Sequence, residues 1–207
     1  MTKNHPWDAV IFDYGRVLTH GPTPEEAERF SELTGVSDFT AFFDIYGATR
    51  DAYDCGFCDY REHWSRFCEV AGVWLTPQQV EELARLELEV WTRENPETLV
   101  LAREVRNAGI KTAVLSNMPH DLLAEVSGKF PWLDAFEVKT WSCELGVVKP
   151  DPTIYHACLD ALGCKASRAL FFDDRPRNVE GAIKVGMQAH VFLSPQQARA
   201  ILEQGLA

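Results

Sequence analysis

The stretch AVIFDYGRVL, Ala9 to Leu18, decides the fold: four apolar residues run into an aspartate, and a glycine follows two places on, at Gly15. A short continuous apolar run closed by a polar group is the pattern of a strand buried on both faces, as in a sheet covered by helices on each side. Three further runs repeat it, TAVL before Ser116, ALFF before Asp173 and AHVFL before Ser194, each followed by a helix-like segment. Strands alternating with helices predict an α/β fold built on a doubly wound, Rossmann-like parallel sheet. Ligands of such sheets bind in the crevice beyond the carboxyl ends of the strands. Asp13, Ser116 and the pair Asp173 and Asp174 are therefore expected to converge on one site.

Between Thr19 and about Asn95 the strand signal gives way to helix punctuation. Thr23-Pro24-Glu25-Glu26, Asp59-Tyr60-Arg61-Glu62 and Thr76-Pro77-Gln78-Gln79 read as capping boxes, an oxygen-bearing N-cap followed three residues later by Glu or Gln. Gly35 and Gly72 read as helix ends. A crossover connection does not require so much helix. The expected organisation is a catalytic core of residues 1–19 and 96–207, with residues 20–95 inserted as a helical cap.

Charge and composition narrow the partners. The chain has 207 residues, with 20 Lys and Arg against 31 Asp and Glu, a formal charge of −11, and no basic run. Such a surface repels a polyphosphate backbone, so nucleic acid is excluded. No apolar run approaches the ~20 residues that cross a bilayer, so no membrane partner is expected. The start MTKNHPWDAV has no apolar leader core, and a cytoplasmic location follows as the expectation. The six cysteines are read as reduced thiols, and Cys55-Gly-Phe-Cys58 as two thiols in a turn.

Four motifs, in order and spanning almost the whole chain, carry a family resemblance: Ile11-Phe12-Asp13-Tyr14-Gly15, Val114-Leu115-Ser116-Asn117, Val148-Lys149-Pro150-Asp151-Pro152 and Phe171-Phe172-Asp173-Asp174. With them the chain resembles the haloacid dehalogenase (HAD) superfamily, in its phosphatase-like branch with an α-helical cap after the first strand. The resemblance implies a Mg²⁺-dependent phosphomonoesterase acting on a small phosphorylated metabolite, a sugar phosphate among the options, through an aspartyl-phosphate on Asp13. It also implies metal ligation by Asp13, Asp174 and the backbone carbonyl of Gly15, with Asp173 acting through water or orienting its neighbour. The chemistry is coherent: a carboxylate attacking a phosphoryl group needs a cation between the two anions, and Mg²⁺ favours hard oxygen ligands. Ser116 and the backbone N–H of Asn117 are expected to donate to phosphoryl oxygens, Lys149 to supply positive charge, and Asn178 a supporting hydrogen bond. Arg16 is a candidate substrate contact. In the cap, Tyr46, Arg50, Tyr53 and Arg61 are candidate specificity residues.

Most phosphatases of this family have a second aspartate two places after the nucleophile, to protonate the leaving oxygen. Gly15 stands there instead, as in a branch of the family that includes proteins acting on sugar phosphates. Loss of such acid–base help lowers rates by about 10²–10⁴-fold without abolishing attack. Three readings stay open: a slow or leaving-group-selective phosphomonoesterase, with His20 or His120 as candidate proton donors; a non-catalytic or weakly active binder of phosphorylated metabolites; and a 2-haloacid dehalogenase. Intact Asp13, Lys149 and Asp174 favour the first over the second. Tyr14, one place off the register of the dehalogenases' tyrosine, ranks the third low.

Overall fold

The computed structural model describes residues 6–206. Residues 1–5, part of the stretch read for a leader, lie outside it, as does residue 207.

The sheet is all parallel. Strand β1 (Ala9–Phe12) lies at its centre, β2 (Lys111–Ser116) and β3 (Val138–Trp141) on one side, and β4 (Ala169–Asp173) and β5 (Gln188–Val191) on the other, in the order β3-β2-β1-β4-β5. Every residue of β1 is fully buried. Side chains alternate across the pleat, so β1 feeds two cores. Val10 and Phe12 join Val114, Leu170 and Phe172 on one face, while Ala9 and Ile11 join Ala113, Leu115 and Phe171 on the other. Each large apolar side chain withdrawn from water in this way contributes roughly 1.5–3 kcal/mol. The first core is covered by helices α6 (Pro96–Asn107), α7 (His120–Lys129) and α11 (Pro195–Leu206); the second by α9 (Pro152–Leu162) and α10 (Pro176–Lys184).

Two strand readings need correction. β3 is absent from the apolar runs: it is a four-residue edge strand whose Lys139 faces solvent, so its sequence VKTW carries no continuous apolar signal. The last strand begins one residue earlier than AHVFL and stops at Val191, because Leu193 projects into solvent.

Residues 24–91 hold five helices, α1 (Pro24–Thr34), α2 (Phe39–Thr49), α3 (Asp51–Asp54), α4 (Tyr60–Ala71) and α5 (Pro77–Trp91), packed around a core of their own built from Phe30, Phe42, Trp64, Phe67 and Leu83. Capping boxes close the starts of α1 and α5, and Gly35 and Gly72 end α1 and α4 with left-handed φ values of 72° and 67°. The third expected box is half made. Asp59 accepts from the Glu62 N–H, but the Glu62 side chain turns to Arg66 at 2.7 Å. The chain leaves and re-enters the sheet side by side. His20 N–H donates to the Arg93 carbonyl at 2.8 Å, and Asn95 N–H to the Leu18 carbonyl at 2.9 Å.

A short helix α8 (Ser142–Leu145) completes the elements and ties the two parts together. The Ser142 hydroxyl accepts from the Met118 N–H at 2.8 Å, beyond the end of β2, and donates to the Asp54 carbonyl at the end of α3.

Candidate active site

The carboxyl ends of β1, β2 and β4 lie in register, which brings Asp13, Ser116 and Asp173 to one edge of the sheet. Lys149 arrives from the loop before α9 and is fully buried among them. Its ammonium lies 2.7 Å from Asp13 Oδ1 and 2.6 Å from Asp173 Oδ2, and donates to the Leu115 carbonyl at 2.8 Å. Three donors thus meet three acceptors, which is the full capacity of an ammonium group. The Asn117 side chain fixes the Lys149 backbone on both sides: Oδ1 accepts from the Lys149 N–H at 2.7 Å, and Nδ2 donates to the Lys149 carbonyl at 3.2 Å.

Asp173 is wholly committed to its protein neighbours. Besides Lys149, it accepts from the Arg175 N–H at 2.8 Å and from Asn178 Nδ2 at 3.0 and 3.1 Å. Asn178 sits on α10, and that helix comes close because Gly181 has no side chain. A Cβ there would lie 2.7 Å from Pro150 Cβ and 2.8 Å from the Tyr155 hydroxyl, which itself donates to the Asn178 carbonyl at 2.8 Å.

Oxygens of Asp13, Asp173 and Asp174 all fall within 4.8 Å of one another. One lysine faces three carboxylates, so the cluster lacks positive charge. Burial pushes the Asp13 carboxyl up to about 7 against the pull of Lys149, with Asp173 and Asp174 adding to the rise. Asp174 is raised for the same reasons, burial and then Asp173. Burial opposes the charge on Lys149, but Asp13 and Asp173 outweigh it and hold the ammonium above its usual range.

A cavity of ≈ 80 Å³ opens over this cluster, lined from the sheet side by Asp13, Ser116, Asn117, Lys149, Asp174 and Asn178. Two polar groups on its wall are under-used: the Ser116 hydroxyl has only a long contact, 3.4 Å, to the Asn117 carbonyl, and Asn178 Oδ1 is buried without a partner.

Gly15 and Arg16 lie in an irregular turn, Tyr14–Leu18. The ring of Trp91, at the end of α5, lies against Gly15: an added Cβ would meet it at 3.4 Å. A Cβ fits there in ordinary contact, but a carboxylate beyond it requires the indole to move. Arg16 has a φ of 58°, the one left-handed non-glycine among the described residues, a conformation that costs on the order of 1–2 kcal/mol. Its Nε stands 3.8 Å from Asp174 Oδ2.

The inserted helices supply the opposite wall with Tyr46, Arg50, Asp54 and Trp91. Arg50 is buried and engaged: it pairs with Asp54 at 2.9 Å and with Glu87, and donates to the Tyr46 hydroxyl. Tyr53 donates to Asp121 at 3.2 Å, and Arg61 pairs with Glu81 on the outer surface; neither lines the cavity. His20 lines a separate groove beside Arg93, and His120 packs against Gly56, so neither stands at the cavity as a proton donor. The sequence reading passed over Trp91, Asp54 and Arg175. Trp91 and Asp54 come from the insertion, and Arg175 had the look of any solvated arginine beside an acidic pair.

A carboxylate at the end of the central strand of a parallel α/β sheet, backed by a buried lysine and a second acidic strand end, is the arrangement the four sequence motifs led us to expect. The chain belongs to the haloacid dehalogenase-like hydrolase family, whose model matches residues 7–186. It is 34% identical over 122 residues to Phosphatase MT3486 of Mycobacterium tuberculosis, covering 58% of this chain and 55% of that protein. To the phosphoserine phosphatase of Thermus thermophilus it is 31% identical over 120 residues, covering 55% of this chain and 47% of that one. These matches span about half the length of the relatives.

Solved structures share the fold. A HAD family enzyme of Bacteroides thetaiotaomicron, in complex with magnesium and inorganic phosphate, superposes with a TM-score of 0.67 at 20% identity, over 89% of this chain and 93% of that one. The L-2-haloacid dehalogenase of Xanthobacter autotrophicus, with chloropropionic acid covalently bound, gives 0.67 at 18% identity, over 97% and 84%. Among the described residues no helix is long and apolar enough to cross a membrane.

Proposed function

We propose that the protein is a Mg²⁺-dependent phosphomonoesterase that transfers the phosphoryl group of a small metabolite to Asp13, with residues 20–95 acting as the cap over the site. The observation that carries this reading is the buried cluster of Asp13, Asp173 and Asp174 around a single lysine. The Asp13 and Asp174 oxygens, within 4.8 Å of one another in a cluster short of positive charge, suit Mg²⁺, and the unpartnered Asn178 Oδ1 beside them suits its hydration shell. Asp13, Asp174 and the Gly15 carbonyl would hold the ion, which supplies charge neutralisation between the nucleophile and the phosphoryl oxygens.

The remaining roles fall to the chain's own groups. Asp13 Oδ attacks phosphorus, the ester oxygen leaves with the bonding pair, and water later hydrolyses the aspartyl-phosphate to release phosphate and restore the carboxylate. Lys149 holds Asp13 in place and offsets the negative charge. The Ser116 hydroxyl and the Asn117 N–H donate to the phosphoryl oxygens. Asp173, with its lone pairs occupied, positions Lys149 and the start of α10. A halidohydrolase would leave the three-carboxylate cluster without a purpose.

With Gly15 beneath the Trp91 ring, no side-chain acid stands two places after the nucleophile, so the rate depends steeply on how well the leaving oxygen carries charge. The test is a series of aryl and alkyl phosphates with and without Mg²⁺. Native kcat/KM should rise steeply with leaving-group acidity, and Asp13→Asn should lose about 10³-fold or more on every ester. Gly15→Asp with Trp91→Ala should gain most on alkyl esters. Undiminished hydrolysis by Asp13→Asn refutes the nucleophile assignment.

A further inference from the structure

The inner cavity of ≈ 80 Å³ has room for a phosphoryl group and a few waters, at roughly 10–15 Å³ for each water-sized probe. Through Arg16, Tyr46, Trp91, Asp174 and Arg175, which line both, it continues into an outer groove of ≈ 470 Å³. Whatever the phosphoryl group is attached to lies in that groove. Resting on the phosphomonoesterase reading, we propose that the groove is a second anion subsite: Arg16, Arg175 and Arg177 select substrates whose leaving group carries its own phosphate or carboxylate.

Position is the first support. A chain of formal charge −11 gathers three guanidinium groups around one groove, against two lining acids, Asp44 and Asp174, of which Asp174 belongs to the carboxylate cluster. A cleft with such a local excess concentrates anions and speeds their arrival.

Availability is the second. Arg50 and Arg93 direct their N–H groups at carboxylates within hydrogen-bond distance, Arg93 meeting Glu26 at 2.7 and 3.0 Å. The groove arginines do not. Arg16 stands 3.8 Å from Asp174, and Arg177 stands 3.9 Å from Asp51 and 3.5 Å from the Lys149 carbonyl. Arg175 makes no side-chain hydrogen bond or ion pair among the described residues. With no contact shorter than 3.5 Å to hold them, these forks can turn to donate to a phosphate or carboxylate in the bidentate geometry that guanidinium favours.

Backbone geometry is the third. Arg16 adopts its left-handed φ of 58° where glycine would be unstrained, and its guanidinium lies 5.8 Å from the centre of the Phe43 ring, over the groove. Local strain clusters at ligand clamps and pocket walls, and the place of Arg16 fits that pattern.

Non-hydrolysable phosphonates test this on the native, Mg²⁺-loaded protein by calorimetry, without turnover. Propylphosphonate is compared with propane-1,3-bisphosphonate and with 3-phosphonopropionate, and pentylphosphonate with pentane-1,5-bisphosphonate for reach. At low salt the doubly anionic member should bind about tenfold more tightly or better, with the advantage shrinking as salt rises. In Arg175→Gln/Arg177→Gln the advantage should fall towards unity. Preference for both kinds of second anion supports a subsite for phosphate and carboxylate alike; preference for the bisphosphonates alone supports one for phosphate. Equal affinities at both lengths, or a preference unchanged in the double variant, overturn the proposal. The phosphomonoesterase reading fails separately, if the native protein with Mg²⁺ does not hydrolyse para-nitrophenyl phosphate.

Discussion

Two buried ion clusters with the same count of charges face each other across the cavity. At the sheet, Lys149 lies between Asp13 and Asp173; in the inserted helices, Arg50 lies between Asp54 and Glu87. Each sets one cation against two carboxylates, and each is largely buried. Arg50 reaches the cavity wall, but on its other sides aromatic rings close around it. The rings of Tyr46 and Tyr53 lie 4.7 and 5.2 Å from the guanidinium, and the Tyr46 hydroxyl donates to Glu87 at 2.6 Å. Around Lys149 the surroundings open: a third carboxylate, Asp174, adjoins the pair, and the cavity begins there. Buried charge alone therefore does not mark a catalytic centre. What sets the sheet cluster apart is the third carboxylate, Asp174, beside the cavity, where the Arg50 cluster is packed by rings.

The largest expected effect falls on the closed cluster. Arg50→Met leaves Asp54 and Glu87 buried without their cation and should lower unfolding stability by about 3–5 kcal/mol, read from urea titration. Replacing all three residues by apolar ones should recover most of that loss. A small change in the single variant would erase the distinction, since it would mean that the Arg50 cluster too tolerates missing charge.

Next comes Lys149→Met, which should lower kcat by about 10²–10³-fold at saturating Mg²⁺. Its stability loss should be smaller than that of Arg50→Met when Mg²⁺ is present. A larger stability loss at the lysine would reverse the assignment of which cluster is structural.

Acid sharpens the contrast through His63, which stacks on Tyr53 at 5.1 Å and has Thr49 O, Arg50, Arg66, Glu87, Tyr46 and Trp64 around it. Burial, and then Arg50, lower its pKa to about 4 from the model-peptide 6.5. The unfolded chain therefore takes up a proton that the folded one refuses. This contribution is fully present above pH 6.5 and is lost as pH falls towards about 4, approaching roughly 3 kcal/mol. His63→Phe, which keeps the stack, should show a shallower acid slope in urea midpoints. Parallel slopes for variant and native protein would remove His63 from the account.

The smallest effect is at the groove. Arg16→Gly relieves the left-handed backbone and should raise stability by about 1 kcal/mol, while weakening the affinity for doubly anionic phosphonates. A stability loss instead would show that Arg16 holds the turn rather than the ligand.

Much of this was legible in the sequence. Strands β1, β2 and β4 were readable because strands buried on both faces must be apolar throughout, so their polar ends stand out as Asp13, Ser116 and Asp173. Lys149 was readable through its motif. β3 was not, because an edge strand with one side chain in water breaks the run at Lys139. Nor was the role of the Asn117 side chain legible, since only its backbone N–H was expected at the site. The structure shows the Asn117 amide clamping the Lys149 backbone, a contact between residues far apart in the chain.

By itself the sequence determined the parallel sheet, the helical insertion and the identity of the acidic and basic groups at the strand ends, since these follow from local runs, caps and spacing. Only the tertiary structure decided how the insertion meets the site: Trp91 over Gly15, Arg50 engaged by carboxylates, and three arginines only loosely held along one groove. Hydrophobic periodicity records which residues leave water. It does not record which charged group finds a partner, because that depends on distances between segments that only packing brings together.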